Sequence, residues 1–238
     1  MSAREPKRFY EKAEAGPAEN DGYGVFLDGR PARTARRRLL VARAQPLAAA
    51  VAAEWAAQSE HVDRASMPLT ALLSAAIDGG EAAAPGWAED VLDYLGSDLV
   101  CYRAAEPDAL VLRQGEVWDP FLDWFKTAYG ERLVTVTGVI AAPQPRGALD
   151  AVRRDLAATS PEALFALRTA TAIAGSAVLA LALSKEAFSA DAVFAASRLD
   201  ERFQAERWGE DAEAKDRERT IEAEFAAVAR FIRLAGKR

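Results

Sequence analysis

The apolar residues of this 238-residue chain change their period once, near Pro46, and that change limits the folds open to it. Before it lie short aromatic and β-branched runs at residues 8–10 and 23–27. Gly16-Pro17 and Asn20-Asp21-Gly22 separate them as turns, and Asp28-Gly29 is expected to close a hairpin. Residues 30–35 and 39–41 are the candidate partners of that hairpin. After Pro46 the spacing becomes helical. Leu47, Val51 and Trp55 share one helix face, and Leu69, Leu72, Leu73 and Ile77 share another that ends at Gly79-Gly80. Trp87, Val91, Leu95, Leu99 and Tyr102 make a third stripe. Pro120 is expected to open a short aromatic helix with Phe121, Trp124 and Phe125. The run LVTVTGV at 133–139 reads as a strand or an extended connector, and Pro143 and Pro145 follow it.

The last hundred residues read as helix after helix. Leu149, Val152 and Leu156 mark one, and Ser160-Pro161-Glu162 starts the next. The uncharged stretch 169–183 is too short to span a bilayer and is expected to be a helix buried in a helical core. Ser189 should cap a helix running to Trp208, and Ile221, Phe225, Val228 and Ile232 mark a terminal amphipathic helix. The expected fold is therefore α+β and mainly helical: a small N-terminal β-containing domain, 1–64, then an α-helical C-terminal domain, 65–238.

Composition removes much familiar chemistry. A net charge of −6 argues against a nucleic-acid binder, although the first 45 residues carry ten basic against six acidic side chains. One cysteine, Cys101, leaves no intramolecular disulfide and no multi-cysteine metal site. One histidine, His61, leaves no paired-histidine motif and only one possible base for a Ser/His/Asp triad. His61 reads as a cap or surface residue and Cys101 as a buried thiol. Gly22-Tyr23-Gly24 lacks the third glycine of a dinucleotide fingerprint, since Leu27 stands there, and no GxxxxGK[ST] loop occurs. No catalytic residue, metal or cofactor is expected. The N-terminus lacks an apolar h-region, and Glu5, Glu11 and Glu14 break up its basic residues, so neither a secretory signal nor a presequence is read there. Arginine greatly outnumbers lysine, as in proteins of G+C-rich bacteria, and a bacterial cytoplasmic location is expected.

The segment SRLDERFQAERWGED at 197–211 stands out. On a helical wheel Ala192, Ala196, Leu199 and Phe203 form a core face. Ser197, Glu201, Gln204 and Trp208 cluster elsewhere, with Asp200 between. A large aromatic ringed by carboxylates and an amide suits protein recognition. The competing reading buries Trp208 under a neighbour and pairs the acids with Arg198, Arg202 and Arg207. Asp200 and Glu201 diverge by about 100° on a helix and are poorly placed to converge on one substrate atom. Residues 211–224 alternate acids and bases, as a solvated face does.

With these residues in view, the chain resembles the ATP synthase assembly chaperones of mitochondria and alphaproteobacteria that handle the alpha subunit of the catalytic head. The resemblance rests on KRFYEKA at 7–13, VFLDGRPART at 25–34, EWAAQ at 54–58, MPLTALLSAAID at 67–78, QGEVWDPFLDW at 114–124 and LDERFQAERWGED at 199–211, six blocks in order. It implies a non-enzymatic protein that binds unassembled alpha subunit and shields its interface until beta joins. It also implies a functional acid at Asp200 or Glu201. The first of these is often glutamate in the family, so Asp200 is a small departure. Trp55 is a further family hallmark, though its helical stripe suggests core packing. The expected partner-binding residues are Asp200, Glu201, Gln204 and Trp208, joined by Arg8, Phe9 and Tyr10. The partner is the ATP synthase alpha subunit, without nucleic acid or membrane insertion, and the free chaperone is expected to be a monomer. Two rivals remain: a helical scaffold for another protein, and an enzyme using His61 or the acid pair.

Overall fold

The computed structural model describes residues 6–18, 21–138, 140, 142–209 and 212–236. Its chain forms two units: 1–84 with 161–166 and 230–238, and 85–160 with 167–229.

The first unit holds an antiparallel sheet of β1 (Ala13–Pro17), β2 (Tyr23–Leu27), β3 (Arg30–Pro31) and β4 (Val41–Ala42). β2 is central. It pairs with β1 from Ala13↔Leu27 to Pro17↔Tyr23, with β3 at Leu27↔Arg30 and with β4 at Tyr23↔Ala42. Asp28-Gly29 does make the two-residue hairpin, with φ of 48° and 74°, the doubly positive turn that matches strand twist. The Asp28 carboxylate also accepts the N–H groups of Glu11 and Lys12, at 3.1 and 2.8 Å, and these bonds hold its pKa below the ordinary carboxylate value. Gly16-Pro17 is not a turn. Both lie in β1, a strand at the sheet's edge, where a proline's missing N–H costs no ladder bond. The turn expected at Asn20-Asp21-Gly22 falls partly outside the described residues; its described part has Ala18 N–H bonded to Gly22 O at 2.8 Å. Residues 8–10 lie outside the named strands.

α1 (Gln45–Ala56) packs against the sheet and α2 (Pro68–Gly79) packs on α1, each opened by a proline in its first turn. Leu47, Val51, Leu69 and Leu73 are buried, whereas Trp55 is half-buried. Glu54 fixes the start of α2: its carboxylate accepts Leu69 N–H at 2.8 Å and Thr70 N–H at 2.7 Å, two donors that a helix start leaves unsatisfied. Glu162, buried in the first turn of α6 (Pro161–Ala174), accepts Arg43 N–H at 3.2 Å.

The second unit contains α3 (Ala84–Gly96) from residue 85 on, α4 (Asp108–Tyr129), α5 (Arg146–Ala157), the rest of α6, α7 (Ala177–Ser184), α8 (Ala190–Ser197), α9 (Leu199–Trp208) and most of α10 (Ala212–Ala235). α7 is buried from Ala177 to Leu183 on every face, as a helix without a polar stripe must be. β5 (Tyr102–Arg103) pairs in parallel with β6 (Val136–Thr137), so the LVTVTGV run contributes only two paired residues, and to this unit; Val139 lies outside the described residues.

Four expectations are corrected here. The third stripe does not continue as one helix to Tyr102, because α3 stops at Gly96 and a 3-10 turn follows at Leu99–Cys101. Pro120 does not open a helix. It sits inside α4, where burial of Trp118, Phe121, Leu122 and Phe125 outweighs the backbone bond a proline removes. The apolar stretch 169–183 is two helices, broken at Gly175 with φ 66°. The helix capped by Ser189 ends at Ser197, and α9 begins a residue later. Among the described residues no helix is long and apolar enough to cross a membrane.

Candidate functional site

The α8–α9 break governs what the LDERFQAERW segment presents. At Arg198 the backbone leaves regular helix, with φ −108° and ψ 15°, and its N–H is shared between the carbonyls of Phe194 and Ala195. The single wheel drawn through 189–208 therefore fails at its middle. Ser197, expected beside Trp208, is buried and donates its hydroxyl to Phe194 O at 2.8 Å. Leu199 and Phe203 are in the core as expected.

α9 is held by α4. The buried Gln114 donates from Nε2 to Asp200 Oδ1 at 2.8 Å, and its Oε1 accepts Ala104 N–H at 2.8 Å. Trp118 donates its indole N–H to Ala196 O at 2.9 Å. Arg103 donates to Gln114 O at 2.8 Å and to Asp119 at 2.9 Å, and lies 5.3 Å from the Trp118 ring centre. Arg113 bonds Glu206 at 2.8 Å and stacks over Phe203. Within the QGEVWDP block, Gln114 thus ties α9 and Trp118 ties α8 to α4. Sequence reading singled out that block but gave it no role, because its partners are some eighty residues away.

Glu201, Gln204 and Trp208 meet on the outer side of α9, around a groove of about 410 Å³ shared with α10. Arg198, Arg202, Arg217, Glu218 and Ile221 complete its lining. Trp208 is 83% exposed, so no described neighbour covers it, and the reading that buries it is set aside. Asp200 turns away from this cluster toward Gln114. Arg202 closes on Glu218 at 2.8 Å and Arg217 on Glu213 at 3.0 Å, the paired, solvated charges expected along residues 211–224. Asp211 itself lies outside the described residues.

Arg8, Phe9 and Tyr10 belong to the first unit and form a cluster of their own. Arg8 donates to the carbonyls of Tyr10, Glu11 and Gln58 and lies over the Tyr10 ring. Tyr10 is buried and donates its hydroxyl to Trp55 O at 2.8 Å, with its ring edge-on to Trp55. Burial raises the pKa of that phenol. Only Phe9, 75% exposed, offers its side chain outward.

The residues weighed for catalysis do not converge. His61 is exposed and pairs through its backbone with Lys7. Asp200 and Glu201 face Gln114 and Arg198 respectively. Cys101 is buried, and desolvation pushes its thiol up to about 12. Among the described residues no group of three or more His, Cys, Asp or Glu side chains could hold a metal.

Comparison with known proteins agrees with this architecture. Residues 7–126 match the model of a family described as ATP12 chaperone protein. The fold is similar to the crystal structure of Atp12 from Paracoccus denitrificans, with 37% identity, a TM-score of 0.92 and coverage of 97% of this chain and 98% of that one. An aspartate-to-lysine variant of the P. denitrificans protein is similar at 38% identity and a TM-score of 0.89, covering 97% and 98% of the two chains. A candidate chaperone from Agrobacterium tumefaciens matches at 40% identity and a TM-score of 0.91, over 96% of this chain and 86% of that one.

Proposed function

This chain belongs to the ATP12 chaperone family, and from that membership we propose that it assists ATP synthase assembly by binding the unassembled alpha subunit and shielding its interface until beta joins. The observation that carries the reading is Trp208, a large aromatic left open to solvent at the edge of a groove with Glu201 and Gln204. An exposed aromatic costs solubility, and a binding anchor ringed by polar groups is its usual use. In this reading Glu201, Gln204 and Trp208 touch the partner, Asp200 keeps α9 in place through Gln114, and Phe9, set by Arg8 and Tyr10, adds an apolar contact. The protein acts as a monomer in a bacterial cytoplasm, without cofactor and without catalysing a reaction.

The test is co-expression with the alpha subunit of the same organism, scoring soluble alpha and co-purification. Wild type is expected to rescue alpha as a stoichiometric complex. Glu201→Lys and Trp208→Ala, both at exposed positions, should lose at least about tenfold in affinity, the scale of an interface hot spot, while their thermal melts match wild type. Failure of wild type to rescue or bind alpha, with the protein folded, would sink the reading in favour of a helical scaffold for another partner.

A further inference from the structure

The VFLDGRPART block runs into a basic turn: residues 30–38, RPARTARRR, hold five arginines in a chain of net charge −6. All five are exposed. The ion pairs of this unit are Lys7–Glu60, Lys12–Glu14 and Arg43–Glu81, and among the described residues no carboxylate closes on any of the five. Three of them are held by backbone oxygens, which orient a guanidinium without cancelling its charge. Arg33 donates to Arg37 O at 2.8 Å. Arg36 and Arg38 donate to Asp78 O and Ile77 O at 3.1 and 2.8 Å, and so cap the last turn of α2. The Asp78 carboxylate meanwhile accepts the Thr34 hydroxyl at 2.5 Å. Arg30 and Arg33 line a cavity of about 580 Å³ together with Phe9, Tyr10, Trp55 and Asp28. The three rings follow one another edge-on, 5.3 Å from Phe9 to Tyr10 and 5.7 Å from Tyr10 to Trp55. Asp28 is the acid that lines the cavity among the described residues, and its carboxylate is engaged by the N–H groups of Glu11 and Lys12. Arg8, 4.7 Å from the Tyr10 ring centre, adds positive charge nearby. An aromatic wall thus stands beside two guanidinium groups without a counter-charge.

We propose that this cavity seats a segment of the alpha subunit that carries a large apolar side chain beside an aspartate or glutamate. The apolar group lies against Phe9 and Trp55, and the carboxylate bonds Arg30 and Arg33. The inference rests on the reading of this protein as an alpha-subunit chaperone and adds a second contact, on the first unit, with its own chemistry. A guanidinium offers two parallel N–H groups that match a carboxylate, and arginine with aromatic side chains is the combination enriched at protein interfaces. A basic segment would meet like charge, and a purely apolar one would cover the arginines without offering an acceptor. A nucleic acid or an anionic membrane offers acceptors too. Both, however, are extended polyanions that a chain of net charge −6 repels, and a concave site with an aromatic wall favours an apolar side chain over a phosphate backbone.

The test measures alpha-subunit affinity at low and moderate salt for wild type, Arg30→Glu, Arg33→Glu, Arg37→Glu and Phe9→Ala, with thermal melts confirming the fold of each. The seat predicts that Arg30→Glu and Arg33→Glu each lose about tenfold and Phe9→Ala about fivefold. The two charge reversals should also flatten the salt dependence, because fewer ion pairs remain to be screened. Arg37→Glu makes the same charge change in the same turn but outside the cavity lining, and should bind within about threefold of wild type. If it loses as much as Arg33→Glu, only the net charge of the turn matters and the seat is overturned. If Arg30→Glu, Arg33→Glu and Phe9→Ala all bind like wild type, the seat is overturned while alpha-subunit binding stands. If wild type itself does not bind alpha, the chaperone reading falls and the seat falls with it. Wild-type binding to phosphatidylglycerol vesicles or to a single-stranded oligonucleotide that Arg30→Glu abolishes, with alpha affinity unchanged, would assign the arginines to a polyanion and overturn the seat as well.

Discussion

Asp98 has no solvent exposure and starts two helical segments at once. Its carboxylate accepts Val100 N–H at 3.3 Å at the turn Leu99–Cys101, and Ser176 Oγ–H and Val178 N–H at 2.5 and 3.0 Å where α7 begins. Burial raises its pKa from 3.8 to about 6, against the pull of these bonds. Because the folded value lies above the unfolded one, the group's contribution to stability is fully present below about 3.8 and is lost as pH rises through about 6. Asp98→Asn keeps the shape but turns an N–H₂ group toward donors. At pH 7 it should destabilise by about 1–3 kcal/mol, the scale of a buried polar group left unsatisfied. Urea titrations should show the deficit growing as pH falls from 7 to 4. A deficit that stays constant over that range would mean Asp98 titrates normally.

Breaks between helices matter as much as the helices. Gly175 lets the chain turn from α6 into α7 with a left-handed backbone, and a Cβ there would have room, with Leu99 4.0 Å away. The cost of a side chain is therefore conformational alone. Gly175→Ala should lower stability by about 1–2 kcal/mol, measured by urea unfolding, and leave the α9 groove unchanged. An unaltered unfolding midpoint would show that the turn does not need glycine. The break at Arg198 has a different result. It turns α9 so that Ser197 is buried while Glu201, Gln204 and Trp208 share one outer side, and it puts the Arg198 guanidinium at the groove.

At the scale of the whole molecule, the sheet-bearing unit is not one stretch of chain. It takes residues 161–166 and 230–238 as well as 1–84, including Glu162, which bonds Arg43, and the buried Phe231 and Ile232. An isolated fragment 1–84 should therefore lack part of its core and melt without a cooperative transition, followed by circular dichroism. A sharp melt near that of the full chain would show that the later residues are dispensable.

What neighbouring residues decide among themselves is legible in the sequence. The Asp28-Gly29 turn, the prolines that open α1, α2 and α6, the stripes of Leu47 and Val51 and of Leu69 and Leu73, and the α+β, mainly helical class were all legible, because turn chemistry and hydrophobic period act over a few residues. The six blocks also pointed to the family. Helix interruptions were less legible. Pro120 reads as a helix start when alone, and Gly175 and Arg198 lie inside runs whose composition favours continuing the helix. The packed fold sets which polar groups meet. Gln114 finds Asp200 across 86 residues and Asp98 finds Ser176 across 78. It also decided that Trp208 stands open, because the wheel gives a residue's direction on its helix, whereas burial depends on whether another element packs there.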